Sequence, residues 1–359
     1  MSTSMSAIFE GIPGEIALRP IPIPVPRGAE ILVRVLGCTL CGSDLHSFDG
    51  RRAVPVPTIL GHEIVGKIVA RGESSPDKDL AGNSLQIGDR VTWAIVAACG
   101  QCFYCQRDLP QKCLQSFKYG HESLRPGREL SGGLAGHCLL APGTSLVKLP
   151  AELPLSVACP ASCATATIAA ALEAAEPVIH RNICVLGAGM LGLTACAMAR
   201  HRDATRVVCV EPNPGRRELS LSFGATDVCS PSELGVIAGA ESLRHGFDAV
   251  LELSGHPTAF ATAWPHLRLG GTLVLVGSVF PADPVPIALE QVVRRHLTIR
   301  GIHNYAPRHL LEAVTFLSDC HQNYPFADLV GDWLPLDAVA AAFAAAQDPA
   351  AIRIGVCPG

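Results

Sequence analysis

Four cysteines stand close together at Cys99, Cys102, Cys105 and Cys113, with two, two and then seven residues between them. Four thiolates at this spacing can close a tetrahedron around zinc, and a closed all-protein tetrahedron is structural because it leaves no position for substrate. Iron–sulfur ligation is the chemical competitor. Zinc is favoured because the cysteines sit in a loop-rich lobe, with Gly100, Gln101 and Asp108 among them, beside a separate apparatus for redox chemistry. That apparatus is the run Ile183–Ala195, which turns through Gly187, Gly189 and Gly192. The first glycine permits a tight turn, the second lets a pyrophosphate approach the backbone, and the third lets helix and strand pack closely. Phosphate charge would then sit on the amides and positive end of the new helix, which opens with Met190 and Leu191. Glu211 closes the next apolar run roughly 20 residues on, where a carboxylate accepts from a ribose hydroxyl.

The elements that must position these residues are legible as pattern. Residues 31–36 read as a strand, Ile64 to Ala70 as another, and Gly88–Val91 as a turn entering a third. Alternation with frequent Gly and Pro suggests a small β-barrel-like domain. Residues 164–176 read as an Ala-rich helix leading into the glycine unit. From there to about 302, apolar strands and helices alternate, including 247–255 and 271–277, as a parallel doubly wound sheet requires. Gly277, ending one such strand, is a further cofactor-binding candidate. The tail carries an Ala-rich helix from Asp337 to Ala346 and a last strand from Ile352 to Cys357. At 359 residues two domains are the default. A net charge of −4 argues against nucleic acid or an anionic membrane as the main partner. Fifteen cysteines without a secretory leader point to metal binding and buried thiols in a reducing, cytoplasmic compartment.

Taken together, Cys41-Gly-Ser-Asp-Leu-His46, Gly61-His-Glu63, the four-cysteine lobe, the three glycines and Glu211 resemble the zinc-dependent medium-chain alcohol dehydrogenases, over nearly the whole chain. The resemblance implies an α/β protein with a GroES-like β-barrel catalytic domain and a Rossmann doubly wound parallel sheet. Residues 1–164 and 303–359 would form the catalytic domain, with the zinc lobe at about 95–115, and 165–302 the inserted dinucleotide domain. It also implies an NAD-dependent enzyme with two zincs per chain and a homodimer or homotetramer. By motif, Cys41 and His62 look like ligands of the catalytic zinc. Cys163 is the implied third ligand, Cys159 is a rival, and Glu63 is the ligand in some resting states of this family. Two thiolates and one imidazole leave a fourth position open, as catalytic zinc needs. Ser43 and His46 match a hydroxyl-to-imidazole proton relay, Asp44 and Glu63 look like carboxylates that orient ligands, and Thr167 should lie under the nicotinamide.

One position departs from the pattern. Gly42 stands where some relatives carry a phosphate-binding Arg or His, so Arg353 near the C-terminus is a candidate for the diphosphate. Glu211 favours NAD over NADP, because a 2′-phosphate would meet a carboxylate, and Arg216 could bracket the adenosine ribose. The segment Leu114–Glu122 should border the substrate cleft and carries Lys118 and His121, with Arg51 and Arg52 just after the relay motif. A buried, unpaired ammonium is costly, so a polar or anionic substrate would explain Lys118. Solvation, or pairing with Glu122 or Asp49, is the alternative. The stretches 117–122 and 160–167 also resemble the branch of this family associated with phosphonate catabolism. A polyol or threonine-type dehydrogenase on the same scaffold is the rival reading. Outside enzymes the rival is a nucleotide-binding relative that lost catalysis.

Overall fold

The structure, a computed structural model, describes residues 2–359. Contacts divide it into two units: residues 1–166, 306–321 and 326–359, and residues 167–305 with 322–325. The short return of 322–325 has no signal in the sequence pattern. Tyr324 explains it, since its ring stacks on Phe223 of the same unit at 6.3 Å and 12°.

In the first unit the larger sheet runs in the order Leu146–Lys148, Arg90–Trp93, Glu63–Arg71, Ile31–Thr39, Arg353–Cys357, Val330–Pro335, with His137–Leu140 also paired to Ile31–Thr39. The central strands are apolar on both faces (the adjacent pairs Leu32 and Val33, and Ile64 and Val65, are all buried), which fits a sheet curled around its own core. Register sets the site. Thr39 lies opposite both Glu63 and Gly355, so the ends of three strands far apart in sequence converge at one rim. The helix Gly42–Phe48 starts at that rim and is anchored by Phe48, whose ring stacks on Phe343 at 4.1 Å. The Ala-rich stretch near the end is helical only over Val339–Ala346, after a 3-10 turn at Leu336–Ala338.

The second unit is a six-stranded parallel sheet in the order Asp227–Cys229, Arg206–Val210, Asn182–Leu186, Phe247–Glu252, Leu267–Leu275, Thr298–Gly301. The strand order reverses between Asn182–Leu186 and Phe247–Glu252, and such a switch point opens a crevice at the carboxyl ends of the strands. No single helix among the described residues is long and apolar enough to cross a membrane.

Candidate active site

Cys41, His62, Glu63 and Cys163 each present a ligand atom within 4.8 Å of the others. Local structure explains how three separate segments deliver them. Cys41 caps the helix Gly42–Phe48 in an extended conformation (φ −90°, ψ 159°). In the first turn Asp44 reaches back, and its Oδ2 accepts from the Cys41 amide at 3.0 Å. A carboxylate is favoured there by the helix dipole. Its other oxygen accepts from the Gly61 amide at 3.1 Å and lies 3.2 Å from His62 Nδ1. One carboxylate thus braces two ligand-bearing segments and leaves His62 Nε2 as the free ligand atom, as metal-binding imidazoles require. Burial disfavours charge on His62, yet Asp44 and the Cys41 thiol together lift its pKa to about 10. Cys163 follows the 3-10 turn Cys159–Ser162, where Ser162 Oγ donates to the His62 carbonyl at 3.3 Å. Cys159 lies outside the cluster, with its Sγ packed near Gly37. A hydrogen bond from Cys163, opposed by burial and helped by Arg353, holds the Cys41 thiol well below the usual range. Two soft sulfurs and one imidazole are the donor set that zinc takes.

Glu63 is fully buried and already satisfied. Arg353 grips it with two bonds, Nε to Oε2 at 2.9 Å and Nη2 to Oε1 at 3.0 Å, while Thr39 Oγ1 donates to Oε2 at 2.6 Å. Arg353 Nη2 also lies 3.6 Å from Cys41 Sγ. Arg353, the candidate for the diphosphate, thus has its fork engaged by the carboxylate and thiol of the metal cluster.

Around this cluster, Ser43 Oγ lies 3.5 Å from His62 Nε2. His46, one turn along the same helix, is half-buried, and burial together with Arg51 lowers its pKa. The His121 ring centroid stands 5.1 Å from that of His62. Its Nε2 is 2.9 Å from Arg52 Nη1 and its Nδ1 is 2.9 Å from the Tyr119 carbonyl. Arginine only donates, so Nε2 accepts and the proton sits on Nδ1. Lys118 is half-buried, and burial with repulsion from Arg52 lowers its pKa to about 8. Arg51 is exposed and paired with Asp49 at 2.7 Å, and Arg52 is the arginine that turns inward.

The lobe is built differently. Cys99, Cys102, Cys105 and Cys113 also lie within 4.8 Å of one another. The Cys102–Cys105 and Cys102–Cys113 sulfur separations are 3.5 and 3.9 Å. A tetrahedron with Zn–S bonds of about 2.3 Å needs edges of about 3.8 Å, so the lobe fits one ion. A multi-iron cluster would place its thiolates on different irons, further apart. Backbone amides of Cys99 and Gln115 donate to Cys113 Sγ, each at 3.3 Å, and that of Leu114 donates to Cys102 Sγ at 3.5 Å. Amide donors from Cys105 and Leu114 lower the Cys102 pKa to about 6.

In the second unit a cavity of about 490 Å³ is lined by Gly187, Ala188, Gly189, Glu211, Arg216 and His256, among others. Each glycine has a steric reason. Gly187 has φ +99°, a Cβ on Gly192 would fall 1.8 Å from the Gly187 carbonyl oxygen, and a Cβ on Gly189 would meet nothing within 4 Å. The space over Gly189 is what a phosphate needs. Glu211 accepts from the Ala188 amide at 2.8 Å and the Asn213 amide at 2.9 Å, which fixes its oxygens at the cavity wall. Gly277 is not in the wall. A Cβ there would sit 2.3 Å from the Gly255 amide nitrogen, so Gly277 serves close packing. Glu252 had no sequence signal, yet its Oε1 accepts from Ser254 and Gly255 amides, both at 2.8 Å, and shapes the opposite wall. Met190 and Leu191 open the helix Met190–His201, and Thr167 lies on the helix Ala164–Ala174.

Residues 27–151 match the family described as "Alcohol dehydrogenase GroES-like domain", and residues 191–319 match "Zinc-binding dehydrogenase". The chain is 32% identical to a geraniol dehydrogenase of Castellaniella defragrans, over 84% of this chain and 83% of that protein. It is 30% identical to an L-threonine 3-dehydrogenase of Coxiella burnetii, over 80% of each. The solved structure of an alcohol dehydrogenase from Thermotoga maritima superposes with a TM-score of 0.93 at 28% identity, covering 100% of both chains.

Proposed function

The chain belongs to the zinc-dependent medium-chain alcohol dehydrogenase family, and we propose that it moves a hydride between a polar or anionic alcohol and NAD. The observation that carries this reading is the Cys41–His62–Cys163 donor set with Asp44 behind His62 and Glu63 withdrawn onto Arg353. Three protein donors leave a place for the substrate oxygen. Zinc held there supplies a Lewis acid that favours loss of the hydroxyl proton near neutral pH, and NAD supplies the hydride acceptor. Asp44 takes the Nδ1 proton of His62 and so aims Nε2 toward the metal position. Ser43 Oγ accepts the hydroxyl proton as it gives up its own, and His46, one turn along the helix, takes that proton on toward solvent. Arg353 is a positioning residue that holds Glu63 and the Cys41 sulfur. The amides that begin at Met190 and Leu191 take the diphosphate over Gly189, while Glu211 takes the ribose hydroxyls with Arg216 alongside. Thr167 supports the nicotinamide, and Cys99, Cys102, Cys105 and Cys113 hold a second, structural zinc. Lys118 and His121 face the substrate, for which hydroxyalkyl phosphonates are the anionic candidates.

A homodimer or homotetramer is supported by the uncovered edge strand Thr298–Gly301 and the nearby exposed Leu289 and Val293. The second reading, a threonine-type dehydrogenase, is favoured by the 30% relative of that name. An amino-alcohol substrate also brings an ammonium, and the carboxylates at the cluster are already engaged: Asp44 with His62, Glu63 with Arg353.

NADH formation against neutral alcohols, polyols, threonine and hydroxyalkyl phosphonates, with and without a zinc chelator, tests the proposal. Chelator-sensitive turnover with preference for NAD is expected. A larger kcat/KM with NADP contradicts the Glu211 assignment, and turnover confined to threonine replaces the first reading with the second.

A further inference from the structure

Among the described residues three carboxylates are no more than 1% exposed: Asp44, Glu63 and Glu252. The first two are engaged by basic side chains, Asp44 by His62 and Glu63 by Arg353. Glu252 has no basic partner among the described residues and is held by hydrogen bonds alone. Its Oε1 accepts from the Ser254 and Gly255 amides, both at 2.8 Å, and from Ser254 Oγ at 2.7 Å. Its Oε2 accepts from Ser278 Oγ at 3.0 Å. Register sets its place. Glu252 ends the strand Phe247–Glu252 and lies opposite both Leu186 and Leu275, so its charge sits among the ends of three parallel strands. Ser254 links it to the cavity, which that serine lines, and a Cβ on Gly187 would fall 3.3 Å from the Ser254 Cβ.

A carboxylate buried without a counter-charge is costly, and the donors that hold it do not cancel its field. A dinucleotide crosses a doubly wound sheet at the switch point, here between Asn182–Leu186 and Phe247–Glu252. With Glu211 taking the adenosine ribose on one side, the nicotinamide half belongs to the side where Glu252 and Ser278 stand. The two redox forms of the cofactor share the diphosphate and both riboses and differ in one ring. That ring is a pyridinium cation when oxidised and neutral once hydride has been added. Repulsion between Glu252 and the diphosphate is therefore common to both forms, whereas attraction to the ring belongs to one. Charges inside a protein act on each other through a poorly screened medium, so this difference reaches the ring without a direct contact.

We propose that Glu252 is a specificity-determining residue for the redox state of the cofactor: its buried charge tightens binding of the oxidised dinucleotide relative to the reduced one. NAD can then load in the presence of NADH. This rests on the NAD-dependent reading above, and it adds which form of the cofactor the crevice is built to hold.

The test is calorimetric titration of NAD, NADH and ADP-ribose into the zinc-loaded protein, for the unmodified chain and for Glu252→Gln, Glu252→Ala and Glu252→Asp. Glu252→Ala is the second charge-free variant should the first not fold, since it leaves room for water at the Ser254 and Gly255 amides. Zinc content and Tm serve as fold controls. Loss of the charge should raise the ratio Kd(NAD)/Kd(NADH) by about threefold or more, whatever happens to the two affinities separately. ADP-ribose, which lacks the ring, should follow NADH, and Glu252→Asp should keep the parental ratio. A smaller rise in the charge-free variants overturns the proposal, because a residue that only shapes the wall moves all three ligands together. So does a Glu252→Asp variant whose ratio shifts as far as that of Glu252→Gln. If the parent binds neither NAD nor NADH, the dinucleotide reading falls and takes the proposal with it. If the ratio shifts as expected while no alcohol supports chelator-sensitive NADH formation, Glu252 keeps its role and the alcohol dehydrogenase reading falls.

Discussion

The two cysteine-bearing clusters use the same atom type for opposite ends. The lobe draws four sulfurs from one fifteen-residue stretch (Cys99 to Cys113), tied by backbone amides and, among the described residues, with no carboxylate bonded to its thiols. The rim cluster draws its donors from residues 41, 62 and 163, and surrounds them with Asp44, Glu63, Arg353, Ser43 and His121. The lobe closes a tetrahedron and has no use for charge nearby. The rim leaves a position open, so it needs groups that orient ligands, hold a carboxylate aside and handle a proton. What surrounds the sulfurs, more than the sulfurs themselves, separates a structural from a reactive metal site.

Cys41→Ser sharpens this contrast most. It should cut kcat by about three orders of magnitude or more through loss of the rim ion, and metal analysis should then find one zinc per chain. Cys102→Ser should also remove one zinc, but calorimetry should show the larger loss of Tm, since structural zinc contributes directly to folding. Equal effects of the two on kcat and Tm would break the comparison. Arg353→Gln leaves Glu63 buried without its partner, a change that costs about 3–5 kcal/mol where a buried pair is broken. Denaturant unfolding should record that loss, and cobalt-substituted protein should show altered coordination at the rim as Glu63 is released. Asp44→Asn keeps the shape but removes the charge behind His62, for an expected loss of about 10–100-fold in rim-zinc affinity or kcat/KM, read by chelator competition. Nothing comparable follows from substitutions beside the lobe sulfurs.

The smallest expected effect is one of pH. Burial and Arg52 bring the Lys118 pKa down to about 8. The ammonium is charged below that value and neutral above it, so KM for an anionic alcohol should rise as pH passes about 8, while KM for a neutral alcohol should not follow. Parallel pH profiles for the two substrates would show that Lys118 does not face the substrate.

Motifs local in sequence were legible as chemistry. The lobe spacing and the three glycines with Glu211 each sit within one supersecondary unit, where chain geometry alone fixes the neighbours. What escaped depends on long-range register or on which way a turn faces. Arg353 meets Glu63 because Gly355 and Glu63 both lie opposite Thr39, a pairing no local pattern encodes. Arg51 and Arg52 are adjacent in sequence; the turn through Gly50, at φ +73°, is followed by one arginine facing solvent and one facing His121. Gly277 and Glu252 act through packing and hydrogen bonds at the ends of neighbouring parallel strands, visible only once the sheet order is known.

The most direct test is selective removal of the rim ion. Chelation should be followed by zinc counting and NADH formation on the same sample, in the parent and in Cys41→Ser. The account predicts that activity disappears as the first zinc leaves, with the lobe zinc still bound, and that Cys41→Ser begins at that endpoint. Activity that survives with the rim empty, or that follows the lobe zinc instead, would contradict it.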